Sequence, residues 1–452
     1  EEVWNFIAEE CDLAIAGLPE SYGSTDQFRV TKYAAAALKA RALLYAGSIS
    51  RYGTVQLNGL VGIPADKAND FFKRSMEASD MIIKSGKFAL FNQDPDPAAN
   101  YQQLFLDKTM NSEAIFVKAF ASPDKAHNFD YAMAAPSFKI DWGTNTSPTL
   151  ELVESYEYID GTPGTLKTTD ASGNLIYYEN AEDIFKDKDP RFFASILYPG
   201  SPWQNGELEV RRGIIKNDGS KEAASAFTDV FSEDPSMKTG GKDGLVMAGD
   251  CSRTGFYIKK FMDPTNRVEM DRSETNFMVF RYAETLLNYA EAKYEKGEFD
   301  NNVADMTINK LRRQFAKIAD MDVDAINSSF DPNRDPDVDP VLWEIRRERM
   351  VELMGEGFGF YDVRRWKKAE WFVNKVAYGQ WATKEQIGKS GTFIDLNTGL
   401  ATTDKEQKEG YIYMYNDPVK AGKGWLDKYY LYQIPTNEIA LNPNLLPNNP
   451  GW

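Results

Sequence analysis

The chain has 452 residues, of which 42% are hydrophobic and 27% charged, proportions that are typical of a soluble globular protein with a large buried core. The net charge of −16 at pH 7 repels phosphate backbones, which argues against nucleic acid as a partner. The sequence has no apolar run of about 18 residues and opens on EEVWNF rather than on a basic and then apolar leader, so we predict neither a membrane span nor a retained signal peptide. Cys11 and Cys251 match no metal or redox spacing, and one long-range disulfide between them stays open.

Three helices are predicted near the N-terminus. Apolar residues recur at helical spacing over residues 3–15. Residues 29–48 contain four consecutive alanines and a terminating Gly47, which predicts a helix in close contact with its neighbours. A third helix is predicted over residues 67–85, with Asp66 as its N-cap and a glycine at its exit.

Three more helices are predicted in the second half of the chain. Residues 280–299, FRYAETLLNYAEAKYEKGEF, combine small alanines with bulky tyrosines and leucines, which is typical of helical hairpins that pack closely. The next helix covers residues 301–315, with one of its first two asparagines as the expected cap. Asp339 followed by proline opens a helix that ends near Gly355.

Two zones of the sequence lack the helical period. Residues 122–276 are rich in Gly, Pro, Asn, Asp and Ser, with short β-like runs such as 209–215 and 256–261. Residues 379–428 form the second zone. Long loops in a compact protein are more often functional than idle, so we expect recognition of ligand and partner on these two zones.

The adjacent helix pairs predict the fold class. Tyrosine and alanine at recurring positions suggest a tetratricopeptide-like scaffold, but the period of about 34 residues is not sustained. We therefore predict a mainly α protein, an irregular tetratricopeptide-like helical-hairpin scaffold with long irregular loops and a few short strands. It forms one domain over residues 1–452, with the scaffold at 29–86 and 278–358 and the loop-rich recognition and partner face at 122–276 and 379–428.

The helix that follows Asp339 also offers an enzymatic alternative. It places four glutamates at successive i, i+4 steps, namely Glu344, Glu348, Glu352 and Glu356. Such a row could bind a metal or act as acid and base. The interleaved arginines favour a structural interpretation instead, an ion-pair network that ties the helix to the Tyr361-Asp362 turn and keeps the carboxylate pKa values low.

No metal or cofactor is predicted. Acidic residues alternate over 331–339 like the opening of a calcium loop, but Pro336 takes the place of the required glycine and Leu342 that of the bidentate glutamate. His127 is the only histidine, so a histidine metal site or a Ser-His-Asp triad would depend on it alone. The acidic run is therefore interpreted as a solvated loop that ends in a helix cap.

Aromatic residues in the loops are the candidate ligand contacts. A sugar ring has an apolar C–H face and a rim of hydroxyls, so proteins bind it with a flat aromatic platform surrounded by amide and carboxylate side chains. Two tryptophans lie in such a setting, within KIDWGTNTSPT and PGSPWQNGE. The candidate ligand-binding residues are Trp203, Trp142, Asn145, Asp141, Gln204 and Asn205. For both tryptophans the alternative is burial beneath a loop.

Three motifs carry a resemblance to a known family. FRYAETLLNYAEAKYEKGEFDNNVADMTINKLRRQF (280–315), EIRRERMVELMGEGFGFYDVRRW (344–366) and YLYQIPTNEIALNPNLLPNNPGW (430–452) resemble, in this order, the C-terminal motifs of the SusD/RagB family. Earlier segments are similar to other family landmarks, at 29–47, 147–161, 189–200 and 255–264. Two positions depart from the family pattern: Gly359 often corresponds to a basic residue and Trp452 to a tyrosine.

The resemblance implies a function and a location. Members are lipid-anchored on the outer face of the outer membrane of Bacteroidota, where they capture nutrients, usually oligosaccharides, for a SusC-like TonB-dependent transporter. It implies binding without covalent chemistry. It also implies a lipidated N-terminal cysteine, and Glu1 stands where the family's first loop and helices would already have passed. We therefore expect a preceding segment that carries the anchor and part of the ligand site.

Three alternatives to glycan capture stay open, one of which is a purely structural role that would bind the transporter with no soluble ligand. A peptide-binding member of the same family would use backbone hydrogen bonds and a deeper cavity. A glycoside hydrolase would need two carboxylates about 5–10 Å apart across a cleft. Of the remaining tryptophans, Trp366 and Trp371 are assigned to core or rim packing, whereas Trp381 and Trp425 could line the surface that faces the transporter.

Overall fold

The computed structural model describes residues 1–381, apart from 175, 177, 179, 180, 212, 217, 219, 227 and 245–249, together with 392–393, 411–413, 419 and 422–452. The described part is mainly α with a few short strands, as predicted. Its helices are α1 (Glu2–Gly17), α2 (Lys32–Tyr52), α3 (Ala68–Ser85), α4 (Pro97–Leu106), α5 (Phe129–Met133), α6 (Leu150–Ser155), α7 (Pro190–Ser195), α8 (Tyr282–Glu295), α9 (Asn301–Met306), α10 (Ile308–Leu311), α11 (Pro340–Glu352), α12 (Gly359–Arg365), α13 (Ala369–Val373) and α14 (Thr436–Leu441).

The strands form small antiparallel sheets between the helices. They are β1 (Ala114–Lys118), β2 (Ile196–Leu197), β3 (Pro202–Trp203), β4 (Gly206–Glu207), β5 (Gly213–Ile215), β6 (Lys221–Ala223), β7 (Tyr257–Ile258), β8 (Phe277–Arg281), β9 (Tyr378–Trp381), β10 (Thr392–Phe393) and β11 (Tyr411–Tyr413). The pairs are β1 with β8, β2 with β7, β3 with β4 and β9 with β11, while β5 lies between β10 and β6. The predicted β-like runs 209–215 and 256–261 thus contain the shorter strands β5 and β7.

The N-terminal helices pack as the alanine-rich sequence predicts. Helix α2 lies against α1, α3 and α8, and the residues of its alanine run are buried. The predicted helix end at Gly47 is wrong, because α2 continues to Tyr52. At Gly47 an added Cβ would lie 2.7 Å from the ring of Phe72. This glycine therefore serves the close approach of α2 and α3 rather than termination.

The other predicted helices begin close to the predicted residues but not always at them. The segment predicted over 280–299 becomes helical only at Tyr282, because the residues before it pair with β1 as part of β8. The side chain of Asp300 accepts from the backbone N–H of Val303 and caps α9, so the predicted asparagine cap is wrong. Lys67 replaces the predicted Asp66 at the N-cap of α3. Asp339 caps α11 as predicted, with proline as the first helical residue.

The core consists of several hydrophobic clusters. The largest joins α2, α4, α8, α10 and the β1–β8 pair. A second surrounds α6 and α7, and a third lies beneath the β3–β4 hairpin with Phe138, Trp203, Tyr257 and Met262. Cys11 and Cys251 are both buried and are not bonded to each other, so the long-range disulfide that the sequence left open is not formed.

The four glutamates that begin at Glu344 are buried and paired with cations. They belong to what we call the buried ion network, whose members are Glu113, Glu157, Asp189, Arg191, Lys260, Arg281, Arg312, Glu344, Arg347, Glu348, Glu352 and Glu356. Asp362 bonds Arg349 at 2.8 Å and Arg365 at 2.7 Å, which ties α11 to α12. The ion-pair interpretation of these residues is confirmed.

The pKa values in this network do not all move as predicted. Burial raises the pKa of Glu348, but the charges of Arg191, Arg312 and Arg347 outweigh it and hold the pKa at about 2. At Glu344 burial prevails over Arg347 and raises the pKa. The expectation of uniformly low carboxylate pKa values is therefore wrong, because some carboxyls have too few cations around them.

The described residues contain no helix that is long and apolar enough to cross a membrane and no group of His, Cys, Asp and Glu arranged to hold a metal ion. In the acidic run, Asp331 accepts hydrogen bonds from the Asn333 backbone and the Trp343 indole. Asp335 pairs with Lys368 at 3.0 Å. These carboxylates are thus engaged within the protein.

Candidate ligand-binding groove

The β3–β4 hairpin presents three of the predicted ligand-binding residues. Its two-residue turn, Gln204–Asn205, has φ values of 44° and 66°. Two consecutive residues with positive φ match the twist of a tight antiparallel hairpin, and asparagine tolerates this region better than most side chains. The Gln204 amide nitrogen donates to the carbonyls of Asp263 and Asn266, at 2.8 and 2.7 Å, which fixes the turn against the segment after β7.

A surface groove of about 590 Å³ lies beside this hairpin, and we call it the hairpin groove. It is lined by Gln102, Pro202, Trp203, Gln204, Asn205, Gly206, Glu207, Lys259 and Pro264. A second depression, on the other side of the turn, also contains Gln204, Asn205, Gly206 and Glu207. The turn residues therefore line two concave surfaces.

Three polar atoms of residues that line the hairpin groove are buried without a hydrogen-bond partner among the described residues. They are Gln102 Nε2, Trp203 Nε1 and Gln204 Oε1. An unsatisfied buried donor or acceptor costs about 1–3 kcal/mol, and almost all such groups in native proteins have a partner. Two donors and one acceptor around one groove thus form a set that a hydroxyl-bearing ligand or ordered water would satisfy.

Burial shifts the pKa values of two charged side chains that line the groove. Desolvation lowers the pKa of Lys259 to about 8, while its ammonium donates to the Phe193 carbonyl at 2.8 Å. Burial, followed by the charges of Glu182 and Glu209, raises the pKa of Glu207. Burial thus disfavours the charged form of both side chains relative to water, which suits contact with an uncharged ligand.

The structure buries Trp203, which is the alternative that the sequence left open for this residue. Its side chain is 4% exposed and packs with Phe138, Tyr257 and Met262. The hairpin folds onto the third core cluster because the pairing of β2 with β7 brings the chain before Pro202 over that cluster. A flat sugar platform is therefore not available at Trp203, and its contact with a ligand through Nε1 stays a prediction.

Trp142 lies in the setting that the sequence predicts. Its side chain is 62% exposed, and Asp141 and Asn145 are also exposed. The loop is held at its base, where the Thr144 amide donates to the Ala134 carbonyl at 3.0 Å. None of these three candidates lines the hairpin groove. Of the six predicted residues, three therefore lie on the β3–β4 hairpin, namely Trp203, Gln204 and Asn205. The other three lie on a separate loop, namely Trp142, Asp141 and Asn145.

Sequence reasoning missed Gln102 and Lys259. Gln102 belongs to α4, about a hundred positions before the hairpin, and Lys259 directly follows β7. Only the tertiary packing of α4 and β7 around the hairpin brings them to the groove. The single local signal was the Gly255–Pro264 motif, which the sequence marks as a landmark without a role.

The fold and the groove define a class: a mainly α, helical-hairpin protein whose loops carry a polar surface groove. The sequence model of the SusD family matches residues 112–452, well over half of the chain. The protein belongs to the SusD family. Among curated proteins, none is significantly similar to it in sequence.

Solved structures share this fold. A SusD-like protein from Bacteroides fragilis is 24% identical, with a TM-score of 0.65, and the match covers 100% of this chain and 71% of that one. A SusD-like carbohydrate-binding protein from the same species is 21% identical, with a TM-score of 0.67 and coverage of 98% and 71%. A structure solved with a xylogluco-oligosaccharide is 16% identical, with a TM-score of 0.55 and coverage of 98% and 72%. At these identities the likeness shows the fold alone.

Proposed function

We propose that this protein binds an oligosaccharide or polysaccharide at the cell surface, without cleaving it, and delivers it to a SusC-like TonB-dependent transporter. The observation that carries the proposal is the hairpin groove with its two unpartnered donors and one unpartnered acceptor. Membership of the SusD family supports it, as do similar structures described as carbohydrate-binding or solved with a sugar. The corresponding location is the outer face of the outer membrane, through a lipid anchor.

The groove chemistry suits sugar hydroxyls. Each hydroxyl donates one hydrogen bond and accepts others, so one ring can accept from Gln102 Nε2 or Trp203 Nε1 and donate to Gln204 Oε1. A small side-chain rotation has to expose these atoms, and the resulting hydrogen bonds remove the cost of leaving them unsatisfied. Trp142 is an exposed ring that could stack on a further sugar of the same chain.

Calorimetry against a panel of glycans and peptides tests the proposal. We expect heat with at least one glycan and no release of reducing ends from it. Heat with peptides only would favour a peptide-binding member of the family, and reducing-end release would show a hydrolase. Delivery is tested in cells by comparing glycan uptake with and without this protein, since unchanged uptake would contradict a role with the transporter.

Replacing Gln102 with alanine should weaken glycan binding by about 1–2 kcal/mol, roughly five- to thirtyfold. The change removes a donor that has no partner among the described residues, so the unfolding midpoint should not fall. The matched control is Gln103→Ala on the same helix, because Gln103 is exposed and bonds Asp94 instead. Equal affinities of the two variants for glycan would remove Gln102 from the site.

Replacing Trp142 with alanine should weaken glycan binding by about 1–3 kcal/mol and leave the melting temperature nearly unchanged. The indole is 62% exposed, so little packing is lost. Phe6→Ala, which removes an equally exposed ring from α1, serves as the control for non-specific loss of aromatic surface. Wild-type affinity in the Trp142 variant would limit the site to the hairpin groove.

A further inference from the structure

A second concave site, which we call the aromatic cavity, lies between α6, α11 and α13. Its volume is about 470 Å³, within the range of small-molecule sites, and it shares no lining residue with the hairpin groove. Its apolar walls come from Leu152, Trp343, Met350, Trp371 and Phe372. The rings of Trp343 and Phe372 are parallel, with an interplanar angle of 6° and centroids 6.3 Å apart. Trp371, assigned to core or rim packing from the sequence, thus lines a cavity.

In one buried carboxyl of this cavity, only one of the two oxygens has a hydrogen-bond partner among the described residues. Glu344 is 2% exposed and lines the cavity, and its Oε2 accepts from the Arg347 guanidinium at 2.7 Å. Its Oε1 is buried and has no hydrogen-bond partner in the part of the chain that the structure describes. An ionised carboxylate held this way is costly unless a donor reaches the second oxygen.

The ion network behind Glu344 has an excess of carboxylates. Its described members are five cations, Arg191, Lys260, Arg281, Arg312 and Arg347, and seven carboxylates, Glu113, Glu157, Asp189, Glu344, Glu348, Glu352 and Glu356. Burial raises the pKa of both Glu113 and Glu157 to about 7, although Arg281 or Arg347 opposes it in each case. The network is therefore short of positive charge.

The aromatic wall already holds one ammonium group. Lys375 Nζ lies 3.1 Å from the centroid of the Trp371 ring, where the negative face of the indole attracts a cation. Desolvation lowers the pKa of Lys375 to about 8. Lys375 contacts the ring of Trp371. The rings of Trp343 and Phe372 line the same cavity, and so does Glu344. The other charged residues of the lining are Arg347, Asp331, Glu151, Glu154 and Lys423.

We propose that the aromatic cavity is a second ligand site, which takes a small organic cation: a protonated amine joined to a flat ring or a branched apolar group. A small rotation of the Glu344 side chain exposes Oε1, and the ammonium then donates to it and supplies the positive charge that the network lacks. The apolar part lies among Trp343, Met350 and Phe372. The proposal rests on this cavity alone and is independent of glycan binding at the hairpin groove.

Tryptamine and its neutral analogue tryptophol are suitable probes, because they differ chiefly in the amine. By calorimetry, the wild-type protein should bind tryptamine at least about tenfold more tightly than tryptophol, because the ammonium forms a hydrogen bond with a charged group. Glu344→Gln, which can still accept from Arg347, should lower tryptamine affinity about tenfold and leave tryptophol affinity within about twofold. Equal affinity for both probes, or binding of neither, would overturn the proposal.

A second variant separates this role from a purely structural one. Lys375→Met removes a like charge from the cavity and should tighten tryptamine binding by a few fold, about 0.5–1 kcal/mol, in the opposite direction to Glu344→Gln. General loosening of the fold would weaken binding in both variants. If Lys375→Met and Glu344→Gln changed tryptamine affinity in the same direction, the cation would not be bound by Glu344.

Discussion

Replacing Arg281 with methionine should lower the free energy of unfolding by about 3–5 kcal/mol, because removing one partner of a buried ion pair leaves uncompensated charge. The guanidinium bonds Glu113, Glu352 and Glu356 at 2.7–2.8 Å, and the residue is 1% exposed. Methionine fills part of the space but offers none of these carboxylates a donor. Urea unfolding followed by circular dichroism measures the loss.

The control for Arg281 is Arg29→Met. Arg29 pairs with Asp26 at 2.9 Å, but their side chains are 68% and 47% exposed, and exposed pairs of this kind contribute about 0–1 kcal/mol. A loss for Arg281→Met as small as that for Arg29→Met would mean that the carboxylates protonate or rearrange when the cation is removed. The buried ion network would then not determine how β8 and α11 are held together.

The helical scaffold was predictable because its signals are local. The alanine run of α2, the glycine after α3 and the Asp339 cap each act within a few residues, and the structure confirms them. Two of the errors arise where a distant contact prevails. Helix α2 continues through Gly47, whose missing side chain leaves room for Phe72, and Phe280 is extended because β1 pairs with it. Neither partner can be identified from the pattern around the residue itself.

The candidate site was less predictable for the same reason. The sequence places Trp142 and Trp203 in similar loops, yet the first is 62% exposed and the second 4%. The difference depends on the β2–β7 pairing, which lays the hairpin on a hydrophobic cluster. Gln102 reaches the groove from α4, and its role follows from an unpartnered nitrogen rather than from any motif. The exposure of a side chain and the satisfaction of its hydrogen bonds depend on tertiary structure, so they cannot be predicted from the local sequence pattern.

Replacing Trp203 with alanine should therefore cost about 3–5 kcal/mol of unfolding free energy, the usual loss for a buried tryptophan. A nearly unchanged melting temperature is expected for Trp142→Ala only. Thermal and urea unfolding of Trp203→Ala and Trp142→Ala, measured side by side, check this difference. Similar stability of the two variants would contradict the burial of Trp203 beneath the hairpin.

Alanine at position 203 cannot separate packing from ligand contact, because a destabilised hairpin would also misplace the turn amides. Trp203→Phe makes this separation: it keeps an aromatic ring in the cluster with Tyr257 and Met262 and removes only the indole nitrogen and part of the ring. Since Nε1 has no partner among the described residues, no internal hydrogen bond is lost, and the stability change should stay below about 1.5 kcal/mol. If Nε1 donates to a sugar hydroxyl, glycan affinity should still fall by about 1 kcal/mol, roughly fivefold. Wild-type affinity in Trp203→Phe would instead assign this residue to the core and leave ligand recognition to Gln102 and the turn amides.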